Sequence, residues 1–503
     1  MRKLLTDKQR REIDVLEFLT HIGTPQQVKN IASYANINNR MVMETIRNIN
    51  ANYDFIDIFK VDDLYGIKYK NNASIDRIYY KIYESNVYFA IIRYIFFHDK
   101  ATLNELSNFL YVSESTTYRS ILRINEVLTK NYGFSIDSYP YQFTGDELNI
   151  RVFMQRFFIE SSDILHWPFP DHDRTFYQEL VMHMVSYTPY KLDVYSLHSL
   201  SISVIVNEIR YQYGHKHNLT ITRLQASLAE AVDMYDFDLD ELNKKFDLNL
   251  DEEYIEQILG LYIKQDFKYD FAEIEALRDS DPHIQEILTY LEDTLDSLIE
   301  QFKIPLPNRE ALLLELYNIV LIENQVTVQP FILRNLYWEY YQKIRNYNYY
   351  PAFYDAVFEG MRGYCKLILG DDYNPNLLYA IVYSVLNYWE DLFINLANKV
   401  PPVNIVVLGE ITWEGSKQAA DNIKTVFGSR VNVSTWDHYD ISEKLLAESP
   451  YDIICSSFSI PPIPGKEIYT ITSESYQYNF QSLETVIAHI RYQEFKKQMK
   501  LEE

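Results

Sequence analysis

The hydrophobic and polar positions between Thr102 and Leu128 recur with helical spacing and fall into two groups. Thr102 is a residue type that caps helices, and the apolar positions after it predict a helix over 103–110. Ser113 is a second capping residue, and the pattern after it predicts a helix that reaches Leu128. Two helices joined by so short a turn form a helix-turn-helix. That turn often contains glycine, whereas this chain has Tyr111 there.

A stretch with the same pattern lies nearer the start of the chain. It begins at Thr24, with Pro25 at the first position of its predicted helix and Ile37 in its turn. Each stretch is followed by a segment that alternates apolar and polar residues, at 55–70 and at 131–151. Such alternation around turn residues is typical of a β-hairpin. The pattern therefore predicts two winged helix-turn-helix modules in tandem.

The polar residues on the outer side of each second helix have the chemistry of a DNA contact. Hydroxyls, amides and arginines suit the phosphates and base edges of a major groove. The predicted DNA-binding residues are Asn38, Asn39, Arg40 and Arg47 in the first module and Ser113, Ser115, Thr116, Arg119 and Arg123 in the second. An alternative stays open, in which the two modules bind protein.

The pattern changes along the rest of the chain. Residues 75–98 predict one apolar helix that opens the second module, and long amphipathic helices follow from residue 151, one of them over 223–237. A second series of helices begins near Asp281, so the pattern indicates two helical bundles. From Val403 onward, strands alternate with helices, which predicts a small α/β domain with a mainly parallel sheet.

The charge is distributed unevenly along this chain of 503 residues. The net charge is -24, yet residues 1–160 hold 20 Lys+Arg against 19 Asp+Glu, while the remainder holds 27 against 52. Phosphate repels an acidic body, so only the near-neutral front part suits a nucleic acid. A simpler interpretation is that a large acidic protein has one less acidic end. Because basic groups are few, we expect limited affinity and recognition of bent or A·T-rich DNA by its shape.

Other features bound the class of protein. Two cysteines in 503 residues fit a reducing compartment, and neither a signal peptide nor an 18-residue apolar run occurs, so we expect a cytoplasmic protein that does not span a membrane. No nucleophile elbow, zinc-protease motif, dinucleotide fingerprint or P-loop occurs, so we expect no enzyme and no cofactor. His215 and His217 form an H-x-H pair, which we interpret as a solvated helix end and not as a metal site.

This order of modules resembles the Mga/AtxA family of virulence transcriptional regulators of Gram-positive bacteria. The resemblance implies a mainly α, multidomain chain with tandem winged helix-turn-helix domains at 1–72 and 73–160. It implies two helical bundles, at 161–283 and 284–400, like phosphotransferase-system regulation domains (PRDs), and an EIIB-like α/β domain at 401–503. It also implies a regulator that binds double-stranded DNA and forms a homodimer through its C-terminal half.

The resemblance further suggests which residues are phosphorylated. His198, near the start of a long helix, stands where the family carries a phosphoacceptor, and a phosphotransferase-system phosphocarrier protein is the implied partner. We expect its ring to be partly exposed, with packing between helices as the alternative. Tyr379 stands where the second bundle can carry histidine, and the loop after Val403–Gly409 lacks the EIIB cysteine. Cys455 lies within a later strand and is expected to be buried, so we predict an inactive EIIB-like module.

A second function remains open from the sequence. The chain could be a signalling scaffold of the phosphotransferase system that uses its winged helices for protein contact. The missing EIIB cysteine and the uneven charge favour the DNA-binding regulator.

Overall fold

The computed structural model describes residues 1–70, 73–186, 192–217, 243–245, 252–259, 268, 270–324, 332–334, 337–338, 340–341, 350–371, 373–409, 412–470 and 476–498. Residues cluster into two compact units. The first comprises Met1–Gln285, Leu313–Lys343 and Asp372–Ser384, and the second comprises Glu286–Leu312, Ile344–Asp371 and Val385–Glu503. The helix predicted over 223–237 lies outside the described residues.

The first winged-helix module contains three helices and an antiparallel sheet. Its elements are α1 (Asp7–Ile22), β1 (Gln26–Gln27), α2 (Val28–Ala35), α3 (Asn39–Asn52), β2 (Ile56–Val61) and β3 (Leu64–Tyr69). Strand β3 pairs with both other strands, and the turn between β2 and β3 is the tip of the wing. The pattern predicted a helix from Thr24, whereas α2 begins at Val28, because the two glutamines of β1 are extended and pair with β3.

The second module repeats this order with a shorter wing. Its elements are α4 (Asp76–Ser85), α5 (Val87–Phe97), α6 (Leu103–Leu110), α7 (Glu114–Tyr132), β4 (Phe134–Ile136), β5 (Phe143–Gly145) and α8 (Glu147–Ser161). The apolar segment predicted as one helix over 75–98 is two helices, because Asn86 is extended and its side chain accepts a hydrogen bond from the Tyr88 N–H at 2.9 Å. The predicted helices on both sides of Tyr111 are confirmed.

One hydrophobic core runs through both modules and the helices that follow them. It includes Ile13 of α1, Ile121 of α7, Phe153 and Phe157 of α8, and Ile205 of the helix at Val194–Gln212, all less than 4% exposed. Burying one such side chain contributes about 1.5–3 kcal/mol, so the inner faces of α3 and α7 are firmly held. Their outer faces are the part of each helix that remains free for another role.

A buried carboxylate joins the second module to a distant part of the chain. Glu160 accepts hydrogen bonds from the N–H groups of Ile332, at 2.6 Å, and Leu333, at 2.9 Å. The Tyr83 hydroxyl also donates to it at 2.9 Å. Burial raises the pKa of Glu160 even though these donors favour its charged form. The first compact unit therefore includes both modules and the turn around residue 333.

Helices dominate the described part of 174–398. They are α9 (Arg174–Val185), α10 (Val194–Gln212), α11 (Glu252–Leu259), α12 (Phe271–Arg278), α13 (Pro282–Phe302), α14 (Arg309–Asn324), α15 (Pro351–Leu369), α16 (Pro375–Tyr388) and α17 (Leu392–Asn398). The mainly helical, multidomain class is as predicted. Among the described residues, no helix combines the length and the apolarity needed to cross a bilayer.

The last part of the chain is an α/β domain with a four-stranded parallel sheet. Its elements are β6 (Val403–Leu408), α18 (Trp413–Phe427), β7 (Val431–Thr435), α19 (Glu443–Glu448), β8 (Ile453–Ser456), β9 (Glu467–Thr470) and α20 (Tyr476–Gln498). The strand order is β7-β6-β8-β9. Such sheets are buried on both faces, which explains the nearly continuous apolar runs of β6 and β8.

Candidate nucleic-acid interface

Helix α6 begins with a reciprocal pair of hydrogen bonds. The Thr102 N–H donates to Glu105 Oε2 at 2.7 Å, and the Glu105 N–H donates to Thr102 Oγ1 at 3.2 Å. This capping box satisfies two backbone donors that the helix itself cannot. The backbone bond from Thr102, followed by its hydroxyl, lowers the pKa of Glu105. In α1 of the first module, Thr6 and Gln9 form the same box without a charge.

The turn between α6 and α7 has the geometry of a helix-turn-helix despite its missing glycine. Tyr111 adopts the left-handed conformation at φ 55°, and its side chain is 95% exposed. The Val112 N–H then donates to the Ser107 carbonyl at 3.1 Å, which closes the turn. Asn36 has φ 51° at the corresponding place in the first module. A bulky residue is uncommon in this region, so the surrounding contacts must hold Tyr111 there.

Hydroxyl groups fix the start of α7 on its inner and outer sides. Ser113 caps the helix by accepting from the Thr116 N–H at 3.2 Å. On the inner side, the Ser107 hydroxyl donates to Thr117 Oγ1 at 3.0 Å, and both side chains are buried. This contact joins the two helices of the motif at their closest approach. The result is a fixed orientation for the outer side of α7.

The outer side of α7 is open to solvent. Ser113, Ser115, Arg119 and Arg123 are exposed, and Thr116 is half-buried. The Arg119 Nε–H donates to the Ser115 carbonyl at 3.2 Å. Arg123 pairs with Glu126 at 2.7 Å, with both side chains about half exposed or more. Surface pairs of this kind contribute about 0–1 kcal/mol, so a phosphate can replace the Glu126 carboxylate at small cost.

The first module presents a comparable surface with different chemistry. Asn38 caps α3 by accepting from the Met41 N–H at 2.9 Å, so part of its side chain is already used. Asn39, Arg40 and Arg47 are exposed, and the Arg47 Nε–H donates to the Met43 carbonyl at 3.2 Å. All nine predicted DNA-binding residues thus lie at the start or on the outer side of α3 or α7.

An asparagine connects each of these helices to its wing, and the sequence pattern did not indicate it. Asn50 of α3 donates to the Ile58 carbonyl at 2.8 Å and accepts from its N–H at 2.9 Å. Asn125 of α7 makes the same two bonds to Ile136, at 2.8 and 2.7 Å. Both asparagines follow the cap residue of their helix by 12 positions. That shared spacing from Asn38 and Ser113 is the signal that could have revealed them.

The two wings differ in charge. The first carries exposed lysines, Lys60 and Lys68, and Lys60 lies 3.4 Å from Asp63 at the wing tip. The second runs from Phe134 to Asp146 without any lysine or arginine. Its tip instead presents Tyr139, which is 80% exposed.

His198 is more enclosed than expected. Its side chain lies on α10, is only 2% exposed, and faces Trp167 edge-on with ring centroids 6.2 Å apart. Among the described residues, neither of its ring nitrogens has a hydrogen-bond partner. Burial, followed by the nearby charge of Arg174, lowers its pKa. Packing between helices, the alternative considered from the sequence, is therefore its observed environment, and phosphorylation there stays a prediction.

The other histidine interpretation needs a correction. His215 and His217 are not at a solvated helix end, because His215 Nε2 lies 3.0 Å from the Asp99 carboxylate and His217 is 5% exposed. The chain turns back there onto the second module, which the local pattern could not show. Within the described ranges, no group of three or more His, Cys, Asp and Glu is arranged to hold a metal.

The remaining predictions about phosphoryl transfer concern one residue in the last domain and one in the second predicted bundle. Cys455 lies in β8 with no exposed surface, and burial raises its pKa to about 12, which agrees with the packing role predicted for it. Tyr379 lies on α16, where its ring is 5.7 Å from that of Tyr341. Neither observation gives these positions a role in phosphoryl transfer.

Comparisons with known proteins agree with this arrangement. The family model described as the Mga helix-turn-helix domain matches residues 71–158. A trans-acting regulator from Streptococcus pneumoniae serotype 4 is 24% identical over 477 residues, which cover 93% of this chain and 95% of that protein. The capsule synthesis positive regulators AcpA and AcpB of Bacillus anthracis are each 22% identical, over 48% and 61% of this chain and 50% and 65% of their own lengths. The chain is thus similar along most of its length to a trans-acting regulator and in part to capsule regulators, and its second winged-helix module matches the Mga helix-turn-helix domain, which supports the resemblance to the Mga/AtxA family.

Proposed function

We propose that this chain is a DNA-binding transcriptional regulator that places α7 in the major groove. The observation that carries the proposal is the contrast between the two sides of α7. Ile121 and Ile124 on the inner side are at most 3% exposed, whereas Ser115, Arg119 and Arg123 on the outer side are open. A helix held this way presents a rigid row of donors to base edges and phosphates.

The first module is the second contact in this proposal. Asn39, Arg40 and Arg47 face solvent from α3, and lysines follow on its wing. These cations suit the phosphate backbone, which positions a protein on DNA without reading its sequence. We assign positioning chiefly to the first module and base reading to α7.

The regulator acts as a homodimer through its C-terminal half in our proposal. Two copies present two α7 helices to successive turns of the major groove, as dimeric helix-turn-helix proteins do. The strongly acidic composition after residue 160 supports this division of roles, because that part of the chain is repelled by DNA. The PRD-like and EIIB-like character of the bundles and the last domain belongs to the same proposal.

Phosphorylation of His198 by a phosphocarrier protein is the regulatory step we assign to the first bundle. Its two ring nitrogens make no hydrogen bond to the described residues, so either is chemically available. Since the ring is buried beside Trp167, the helix contact must open before a phosphodonor reaches it. A phosphoryl group adds a charge of about -1.5 to -2 at neutral pH, which then favours the open state.

A salt titration of DNA binding tests the main proposal. Each cation that neutralises a phosphate releases counterions, so affinity for promoter DNA should fall steeply as salt rises. Arg119→Ala and Arg123→Ala should each cost about 1–3 kcal/mol of binding free energy if the arginine reads a base. If the arginine contacts phosphate, the loss should be equal on all sequences and the salt slope should fall by about 1.

The second candidate function is a signalling scaffold that uses the winged helices for protein contact. The exposed aromatic residues around α7, among them Phe109 and Tyr118, are the observation that favours it. Binding to DNA that is absent or independent of salt would support the scaffold. Wild-type affinity in both arginine variants would refute the assignment of α7 to the groove.

A further inference from the structure

The second wing lacks the cations that hold a phosphate most strongly. Its charged residues between Phe134 and Asp146 are two aspartates. Asp137 Oδ1 accepts from the Ser138 N–H at 2.8 Å, and Asp146 Oδ1 accepts from the Asn149 N–H at 2.9 Å, so both stabilise local turns. A wing without cations gains little from the DNA backbone. The most exposed large side chain that it offers to DNA is the tyrosine at its tip.

That tip is connected to Ala101, just before the first helix of the helix-turn-helix. The ring of Tyr139 lies 5.9 Å from that of Tyr141. Tyr141 is buried, and its backbone exchanges two hydrogen bonds with Ala101, at 2.9 and 3.1 Å. Burial, with Tyr139, Tyr118 and Glu114 nearby, raises the pKa of Tyr141. The exposed ring of Tyr139 is therefore one ring away from the buried tyrosine that pairs with Ala101, just before α6.

The backbone of Tyr139 is also unusual. Its φ is 63°, in the left-handed region that bulky residues rarely adopt. Residues held in such conformations cluster at binding sites and clamps, where the surrounding fold maintains them for a role. The ring of Tyr139 is 80% exposed, so it does not contribute to the core of this module. It lies in the near-neutral N-terminal part of an acidic chain.

We propose that Tyr139 is a minor-groove contact, which packs its ring against a base step beside the major groove that receives α7. This inference rests on the proposed function of α7. Proteins that insert apolar side chains into the minor groove partly unstack a base step and bend the duplex. Pyrimidine–purine steps unstack most easily, so the wing selects flexible DNA at positions that α7 does not touch. The first wing, with Lys60 and Lys68, contacts phosphate instead.

The test uses the full-length chain and two variants of one position. Tyr139→Ala removes the ring, and Tyr139→Phe keeps it. Because the side chain is exposed, both variants should fold, and their thermal unfolding should match the wild type. The probe is a short A·T-rich duplex that the wild type binds, with the fluorescent base analogue 2-aminopurine at successive TA steps. Lys68→Ala, on the first wing, is the comparator that removes a contact to phosphate.

We expect Tyr139→Ala to bind about tenfold more weakly, the size typical for loss of a base-stacking aromatic residue. Its salt slope should equal that of the wild type, whereas Lys68→Ala should lower the slope by about 1. Wild type and Tyr139→Phe should raise 2-aminopurine emission at one step, and Tyr139→Ala should not.

Two outcomes overturn the inference while leaving the proposed function intact. One is wild-type affinity and emission in Tyr139→Ala. The other is a ring-dependent loss of affinity without any unstacked step, which would make Tyr139 a contact to sugar or to a second protein. If the wild type does not bind duplex DNA at all, the proposed function fails and the inference fails with it.

Discussion

The two winged-helix modules share a skeleton and differ at its edges. Both have a helix pair whose second helix is capped by a side chain, a left-handed residue in the turn, and an asparagine 12 residues after that cap that fixes the wing. Of these positions, only the asparagine is the same residue type in both modules. The edges diverge further, since lysines mark the first wing and a tyrosine marks the second. The comparison teaches that different residue types can produce the same backbone geometry in both modules, whereas the residues of the two wings differ in charge and are assigned different contacts.

The largest expected effect concerns the anchor of the second module. Glu147 at the start of α8 accepts from Arg151 Nε at 2.9 Å and from Arg210 Nε and NH2 at 2.9 and 2.6 Å. Burial works against its ionisation, but the bonds and charges of Arg210 and Arg151 outweigh burial and lower its pKa. Glu147→Ala leaves the two buried guanidinium groups without their carboxylate partner. This loss should lower the free energy of unfolding by about 3–5 kcal/mol.

Chemical denaturation would measure that cost. The exposed Glu44→Ala in the first module is the control, with an expected change within about 0.5 kcal/mol. A similar small change in both variants would show that the stability of the second module does not depend on the ion pairs of Glu147 with Arg151 and Arg210.

The hydrogen bonds that connect Asn50 and Asn125 to their wings should contribute different amounts to stability. Asn125 is half-buried and Asn50 is exposed, so water replaces the lost bonds more easily in the first module. Asn125→Ala leaves the Ile136 N–H and carbonyl without their partner, which should cost about 1–3 kcal/mol. Asn50→Ala should cost less. Denaturation midpoints compare the two, and a larger loss in Asn50→Ala would contradict the burial argument.

Substitution by glycine should stabilise the turn of the second module more than the turn of the first module. Tyr111→Gly removes the strain of a left-handed bulky residue, and since the side chain is 95% exposed no packing is lost. After the entropy that glycine adds to the unfolded chain, we expect a gain of about 0.5–1 kcal/mol. Asparagine tolerates this conformation, so Asn36→Gly should gain almost nothing. Differential scanning calorimetry would detect the difference, and destabilisation by Tyr111→Gly would indicate a packing role for the ring.

The smallest expected effect is the pH dependence that Glu105 gives to the capping box of the second module. The pKa of Glu105 is lower in the folded state than its ordinary value, so its contribution is present above that ordinary value and is lost as pH falls through the folded pKa. Gln9 in the first capping box does not titrate. The thermal midpoints of wild type and Glu105→Gln should differ near neutral pH and converge below about pH 4. A constant difference would exclude the capping role of the charge.

Local patterns in the sequence predicted most of this architecture. The helices on both sides of Tyr111, both hairpins and the parallel α/β domain follow from spacing, caps and β-branched runs. The sequence did not indicate β1, because two glutamines carry no apolar pattern and pair only through their backbone. The break at Asn86 was missed because apolar residues recur with helical spacing both before and after it.

The site was predicted less completely than the fold. Helical periodicity predicted the outer sides of α3 and α7. The nine predicted DNA-binding residues therefore lie at the start or on the outer side of these two helices. Tertiary contacts decide the rest, and local sequence does not contain them. The burial of His198 beside Trp167, the pairing of His215 with Asp99 and the asparagine clamps all depend on which elements meet in space.

Site-directed cleavage of DNA tests the central claim most directly. The chain has two cysteines, Cys365 and Cys455, both buried with their pKa raised to about 12, so an introduced exposed cysteine can be labelled selectively. Ser115→Cys at the start of α7 would carry an iron chelate that cuts nearby DNA. The account predicts cuts at a few adjacent base pairs inside the sequence that the wild type protects. A labelled protein that binds with wild-type affinity and cuts nowhere within that sequence would contradict it.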